Sequence, residues 1–348
     1  MIPPEPPPAA LRLGIDREAL TANWCALAKM SGAARAGAAV KADGYGLGAR
    51  QVVPILRDAG CADFFVAHWS EVADLLGLVP PQSIAVLHGP LTAADAAYAK
   101  ATGVKPVINS LHQAQLWLGA GGGRCDLMVD TGINRLGLPL AALGDEAIAA
   151  LEIDTLHSHL ASADEDVPLN ALQQGRWLAA RQQVRHHRAA LANSAGIALG
   201  CDYHGDLTRP GLALYGGVQR PELANAIRQV ARPEVALMQM RELTAGESVG
   251  YNATFTAPHA MRVGVVALGY ADGYLRCWSG KGVLRAGEAA LPVLGRVSMD
   301  MSVIDLTAAP QLQEGDWVSV DYALPEASAA SGLSQYELLT LLGLRFAR

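Results

Sequence analysis

Only five lysines occur among the 348 residues, so each can be weighed alone. Lys41 is the one placed for chemistry. It follows the apolar run 36–40 and precedes Ala42-Asp43-Gly44-Tyr45-Gly46-Leu47-Gly48. A lysine at the C-terminal end of a strand stands where α/β barrels build their active sites. Apolar walls weaken its preference for charge, and the free amine is a nucleophile for a carbonyl or aldehyde. The glycines allow the backbone close to a ligand. A solvated lysine at a strand end fits the same residues. The other four look ordinary. Lys281 lies in a Gly-Lys-Gly turn, and Lys29 and Lys100 lie near helix ends. Lys105 precedes Pro106 at the start of a strand, the end of a barrel away from its chemistry.

Other side chains carry weaker signals. His157 and His159 alternate, which puts both on one side of a strand. Two such histidines could hold a metal, but no third ligand is evident, so zinc is not expected. His157 reads as a core histidine. Arg209-Pro210-Gly211-Leu212 sits late in the strand pattern, where barrels hold phosphate. The backbone N–H groups of Gly211 and Leu212 suit an anion there. An arginine in a structural ion pair is the competing reading. Asn193-Ser194 by itself marks a loop, and Asp272-Gly273 a hairpin turn. Tyr251 alone suggests packing, because a phenol with pKa near 10 is a poor base unless its site lowers that value.

These residues need elements to place them. Apolar runs at 36–40, 63–67, 83–87, 105–109, 126–130, 154–159 and 211–216 alternate with helical stretches such as 51–58, 70–76, 110–118 and 169–192. Strands alternating with helices imply βαβ units and a parallel sheet. Seven or eight units suit a (β/α)8 TIM-like barrel over 11–225. A doubly wound open sheet is the structural rival. After about residue 220 the runs 263–268, 291–294, 297–306 and 317–321 are separated by Gly/Asp turns. They predict a C-terminal antiparallel β domain over 226–348. Ser334 and Glu337 fit a capping box for a last helix over 334–342.

Composition bounds the partners. Hydrophobic residues make up 51% and charged residues 17%, an ordinary globular balance. A net charge of −6 argues against nucleic acid. No apolar run approaches the length of a membrane span. Residues 1–10 read as a Pro-stiffened arm, without the marks of a secretory signal. Five scattered cysteines without a CxxC pair suggest reduced thiols in the cytoplasm.

At this point a resemblance becomes specific. Val40-Lys41-Ala42-Asp43-Gly44-Tyr45-Gly46 is similar to the cofactor-lysine signature of alanine racemases, Val-Lys-Ala-Asn-Ala-Tyr-Gly. Further segments resemble the same family in order: His159-Leu160-Ala161-Ser162-Ala163-Asp164-Glu165, Asn193-Ser194-Ala195, Arg209-Pro210-Gly211-Leu212-Ala213-Leu214-Tyr215-Gly216, Val249-Gly250-Tyr251, Gly269-Tyr270-Ala271-Asp272-Gly273 and Gly295-Arg296-Val297-Ser298-Met299-Asp300. The resemblance implies a barrel plus a β domain. It implies pyridoxal 5′-phosphate (PLP) on Lys41 and interconversion of L- and D-alanine, a peptidoglycan precursor, through an external aldimine. It implies Lys41 and Tyr251 as the two bases. Tyr45, Ser194, Gly211 and Leu212 would hold the phosphate. Arg209 would meet the pyridine nitrogen, and His159 would face the ring. Arg135, Met299 and Tyr270 would handle the substrate. It also implies a homodimer with shared active sites.

The sequence departs from the family in three places. Val129-Asp130-Thr131-Gly132 and Arg135-Leu136-Gly137 match, but Met128 stands where many members carry a carbamylated lysine that holds the arginine. Leu47 replaces a histidine. Leu344 stands where some members have a phosphate-binding tyrosine. A racemase of another small amino acid such as serine remains open, as does a non-catalytic PLP-binding barrel.

Overall fold

The structure, a computed structural model, describes residues 7–343 and 345–347. The chain forms two compact units. One is Arg17–Arg228, and the other joins the N-terminal segment ending at Asp16 to Gln229–Arg348. Leu344 lies outside the described residues.

In Arg17–Arg228, parallel strands follow one another in the order Ala38–Ala39, Phe64–Val66, Ile84–Val86, Lys105–Ile108, Arg124–Asp130, Glu152–His157 and Arg188–Ala190. The eighth strand closes the ring. Leu207–Thr208 pairs with Arg35–Ala36 on one side, and Ala39 N–H donates to Pro210 O at 2.8 Å. On the other side Arg209 N–H donates to Ala192 O at 2.8 Å. The sheet is therefore a closed barrel, and the open doubly wound alternative is excluded. Strands buried on both faces read as continuous apolar runs. That is why Phe64–Val66 and Ile84–Val86 stood out. Ile108, Leu127, Leu156 and Trp177 pack in one cluster, and each fully buried leucine contributes about 1.5–3 kcal/mol.

Three sequence expectations change here. Residues 211–216 are not a strand: Leu212–Tyr215 is a 3-10 turn closed by Gly216 at φ 102°. All four of its residues are buried, and a short apolar run does not reveal its own period. The helix expected over 169–192 ends at Gln183, and Arg188–Ala190 is a barrel strand. Leu11–Ile15, assigned to the barrel on sequence, instead pairs antiparallel with Ala231–Leu243 in the other unit.

That second unit is antiparallel. Ala231–Leu243 is its hub, and the pairings run from it through Met261–Val266, Ser302–Asp305, Ala289–Leu294, Val283–Ala286 and Trp317–Val320 back to the hub. Gln335–Thr340 is a helix with the expected cap: Ser334 Oγ accepts from Glu337 N–H, and Glu337 accepts from Ser334 N–H. Among the described residues no helix is long and apolar enough to cross a membrane.

Candidate active site

Lys41 opens an unusual turn. Ala42, Asp43, Gly44 and Tyr45 all have positive φ, between 53° and 64°. The left-handed conformation costs roughly 1–2 kcal/mol per non-glycine residue, so something must hold it. Gly44 N–H donates to Val40 O, Gly46 N–H to Ala42 O and Gly48 N–H to Asp43 O, each at 2.8 Å. Asp43 Oδ1 accepts from Ala49 N–H at 2.7 Å, at the start of the next helix. Glu71 anchors the turn to the neighbouring strand end: its carboxylate accepts from the N–H groups of Ala42, Ala67 and His68. Burial lowers the Lys41 pKa below the ordinary lysine value. Arg135 adds to that effect, Glu71 opposes it, and Arg209 lowers it further. Glu71 was not recognised in the sequence, because Ala42, its partner in the Lys41 turn, lies on another βα loop.

Tyr45 and Tyr215 stack with ring centroids 4.8 Å apart. Tyr215 Oη donates to Ala39 O at 2.9 Å. Gly211 lies against this pair. Ser194 Oγ accepts from Gly211 N–H at 2.9 Å and from Ala213 N–H at 3.2 Å. The Gly211 amide is therefore bonded within the protein, and Leu212 N–H is the one of the two without an acceptor among the described residues. Asn193 Oδ1 caps the turn that carries Ser194 by accepting from Gly196 N–H.

Arg209 is buried. Its Nη1 donates to His157 Nδ1 at 3.1 Å and to Ala190 O at 2.9 Å. Its Nη2 donates to Ser158 O at 2.6 Å and to Leu191 O at 3.4 Å. All four bonds leave from the terminal nitrogens, and Nε makes none among the described residues. Burial brings the Arg209 pKa down to about 10, with Asp126 opposing, so the guanidinium is charged at neutral pH. His159 is pushed down to about 3 by burial, then by Arg209, Arg135 and Lys41, which makes it a neutral imidazole. His157 ends its strand, so the strand alternation does not extend to His159. His157 is a core histidine as expected, but it also contacts Arg209.

Arg135 lies in the loop after Arg124–Asp130. Asp130 Oδ1 accepts from Gly132 and Asn134 N–H, and Arg176 Nη1 donates to Thr131 O. The loop backbone is thus fixed, while the exposed Arg135 guanidinium has no hydrogen bond or ion pair among the described residues. Met128 is buried and apolar. Among the described residues no side chain bonds Arg135 in place of the carbamate.

The remaining expected residues belong to the β unit. Tyr251 is 66% exposed on a short turn with Asn252 and Ala253 at positive φ. Its hydroxyl makes no hydrogen bond among the described residues. Tyr270 N–H donates to Ser298 O, and Ala271 N–H to Met299 O, at 3.0 and 2.9 Å. The Arg276 guanidinium lies 5.3 Å from the Tyr270 ring centre. Arg345 ties this pair of segments together by donating to Asp272 and Asp300, each at 2.7 Å. Met299 N–H has no acceptor among the described residues. A cavity of about 870 Å³ between Ala93–Thr102 and Leu111–Gly119 contains none of these groups.

Residues 15–219 match the family model described as alanine racemase, N-terminal domain, and 230–348 match alanine racemase, C-terminal domain. The chain belongs to the alanine racemase family. Its relatives include the alanine racemase of Methylobacterium nodulans, 41% identical over 97% of this chain and 95% of that one. The biosynthetic alanine racemase of Agrobacterium fabrum is 39% identical over 98% and 93%. Among solved structures, alanine racemase from Bartonella henselae with covalently bound pyridoxal phosphate superposes with TM-score 0.89 at 32% identity, over 98% of this chain and 99% of that one.

Proposed function

We propose that the chain is a PLP-dependent alanine racemase that works as a cytoplasmic homodimer. The observation that carries this reading is Lys41. Its amine is largely buried at the C-terminal end of a barrel strand, and Arg135 and Arg209 join burial in favouring the neutral, nucleophilic form.

The residues present fit the cofactor. Gly211, lacking a β-carbon, admits the Tyr45 hydroxyl beside Ser194 Oγ and the Leu212 amide, and Arg209 Nε is a donor without an acceptor among the described residues. Lys41 would hold PLP covalently. Tyr45, Ser194 and the Leu212 amide would hold its phosphate next to Gly211, whose own amide is bonded to Ser194, with Arg209 at the ring nitrogen and His159 against the ring. When bound, PLP supplies an electron sink for the negative charge left on the amino acid once its α-proton departs.

The chain's own groups then move that proton. Lys41 Nζ takes or returns it at Cα on one face, and Tyr251 of the partner subunit acts on the opposite face. A positioned base of this kind contributes about 10²–10⁴-fold. Arg135 receives the substrate carboxylate, and the Met299 amide is a further donor for it. Tyr270 lines the way in. His159 stays neutral, through burial and then the Arg209 and Arg135 charges, so it does not compete with Lys41 for the proton.

The test is a racemisation assay on alanine and serine with added PLP, joined to α-hydrogen exchange in heavy water. Wild type racemises alanine. Tyr251→Phe suppresses exchange from one enantiomer far more than from the other. Equal loss from both contradicts the two-base assignment.

A further inference from the structure

Among the described residues Arg209 has a single side-chain acceptor. Its other three bonds go to the carbonyls of Ala190, Ser158 and Leu191. That acceptor is His157 Nδ1, and the opposite nitrogen of the same ring, Nε2, lies 3.1 Å from Asp126 Oδ2. Asp126 is fully buried. Although burial works against ionisation, Lys105 and then the His157 hydrogen bond hold its carboxyl well below the usual range. Its Oδ1 accepts from Thr155 N–H at 3.1 Å and faces Lys105 Nζ at 3.3 Å. Lys105 also donates to Asp154 Oδ2 at 2.7 Å, and Asp154 takes Arg124 and Arg188 on its outer side. A line of polar groups therefore runs through the barrel interior to Arg209.

This line settles the imidazole's tautomer. An ionised carboxylate only accepts, so His157 must donate from Nε2. Nδ1 is then the lone-pair nitrogen and can only accept, which is what a permanently charged guanidinium requires. Lys105, set aside on sequence because it starts a strand, is the cation that keeps Asp126 ionised.

We propose that His157, held by Asp126 and Lys105, is the positioning residue that fixes the Arg209 guanidinium so that its Nε–H meets the ring nitrogen of the cofactor. The inference rests on the PLP reading above. A guanidinium fixed there donates to the nitrogen without transferring a proton. Without the imidazole, Nη1 keeps only the Ala190 carbonyl inside a buried site and the guanidinium turns away. The ring nitrogen then takes a proton from solvent and draws more negative charge into the ring. Return of the proton to the cofactor carbon competes with its return to Cα. In that side reaction alanine leaves as pyruvate, whose carbonyl oxygen comes from water. The amino group stays on the cofactor as pyridoxamine phosphate, and the Lys41 amine is set free.

The test compares wild type, His157→Leu and His157→Asn, each loaded with PLP isotope-labelled at the ring nitrogen and read by nitrogen NMR. Pyruvate formed per racemisation is measured alongside. Asn keeps an acceptor near the Nδ1 position, and Leu keeps none. The expected result is an unprotonated ring nitrogen in wild type and Asn, and a protonated one in Leu, with pyruvate per turnover raised about tenfold in Leu alone. A folded, loaded Leu variant with the wild-type nitrogen signal and pyruvate ratio overturns the proposal. If the Leu variant does not fold, Asp126→Asn removes the charge that locks the tautomer and is expected to shift the nitrogen signal; an unchanged signal overturns the proposal. A wild type that binds no PLP overturns both this inference and the reading beneath it, whereas a normal racemase with unaffected variants overturns this inference alone.

Discussion

Gly211 lies so close to Tyr45 that a β-carbon on it would stand 2.2 Å from the phenolic oxygen. It would also lie 3.4 Å from Ala39 Cβ, so the ring cannot retreat toward the strand. Tyr45 is pinned from its other side by stacking on Tyr215, which is bonded to the strand backbone. Gly211→Ala must therefore move Tyr45 or the 211–213 backbone, at about 1–3 kcal/mol for overpacking. The expected outcome is PLP binding weakened by about tenfold or more, read by equilibrium dialysis of apoprotein. An unchanged affinity contradicts the phosphate cradle.

Glu71 holds three backbone N–H groups at the Lys41 turn and also favours the charged lysine. Glu71→Gln keeps one acceptor oxygen and removes the negative charge. The Lys41 pKa should then fall further. Lys41 must be neutral to accept a proton, so the acid limb of the pH–rate profile for the lysine-side exchange should move to lower pH. A limb that stays in place, or moves up, contradicts the placement of Glu71 beside Lys41.

Met128 cannot form a carbamate, and Arg135 has no partner among the described residues. Activity should be the same in buffer stripped of carbon dioxide and in buffer with added bicarbonate. A bicarbonate-dependent rise in kcat would show that another amine supplies the missing group.

Two neutral histidines, His157 buried and His159 partly so by surface area, make the fold acid-sensitive. His157 is lowered from 6.5 to about 4 and His159 to about 3, by burial first in both cases. The unfolded chain takes up these protons as pH falls through about 6.5, while the folded chain does not. Stability is therefore complete above that value and declines as pH falls toward about 4, by on the order of 3 kcal/mol for His157 alone. Asp126 adds little in this window, since its contribution is lost only as pH falls below its unfolded value of about 3.8. Thermal midpoints measured across the window should fall, and His157→Asn should flatten the slope. A flat wild-type profile contradicts the neutral assignment.

How much of this was legible depended on sequence distance. Lys41 with its glycines, Arg209-Pro210-Gly211 and Asn193-Ser194 are local strings, and the structure brings Ser194 to the Gly211 amide and Lys41 within the electrostatic reach of Arg209. The contacts that support them are not local. His157 reaches Arg209 across 52 positions and Asp126 across 31, and neither pairing leaves a periodic signal. Lys105 looked misplaced because a strand's start is the wrong end for chemistry, yet its long stem carries charge into the barrel. The hub strand Ala231–Leu243 did leave a signal, since Val235 and Leu237 are buried on alternate positions, but its arginines and proline masked it. Leu212–Tyr215 was misread for the opposite reason, being apolar at every position but the last.

The central claim is that Lys41, among five lysines, carries the cofactor. It is tested most directly by loading the chain with PLP, reducing with borohydride and mapping the phosphopyridoxyl mark by peptide mass spectrometry. The account predicts one mark, on the peptide containing Lys41, and none in Lys41→Ala. A mark on Lys29, Lys100, Lys105 or Lys281 instead, or a Lys41→Ala protein that is still marked at wild-type yield, would contradict it.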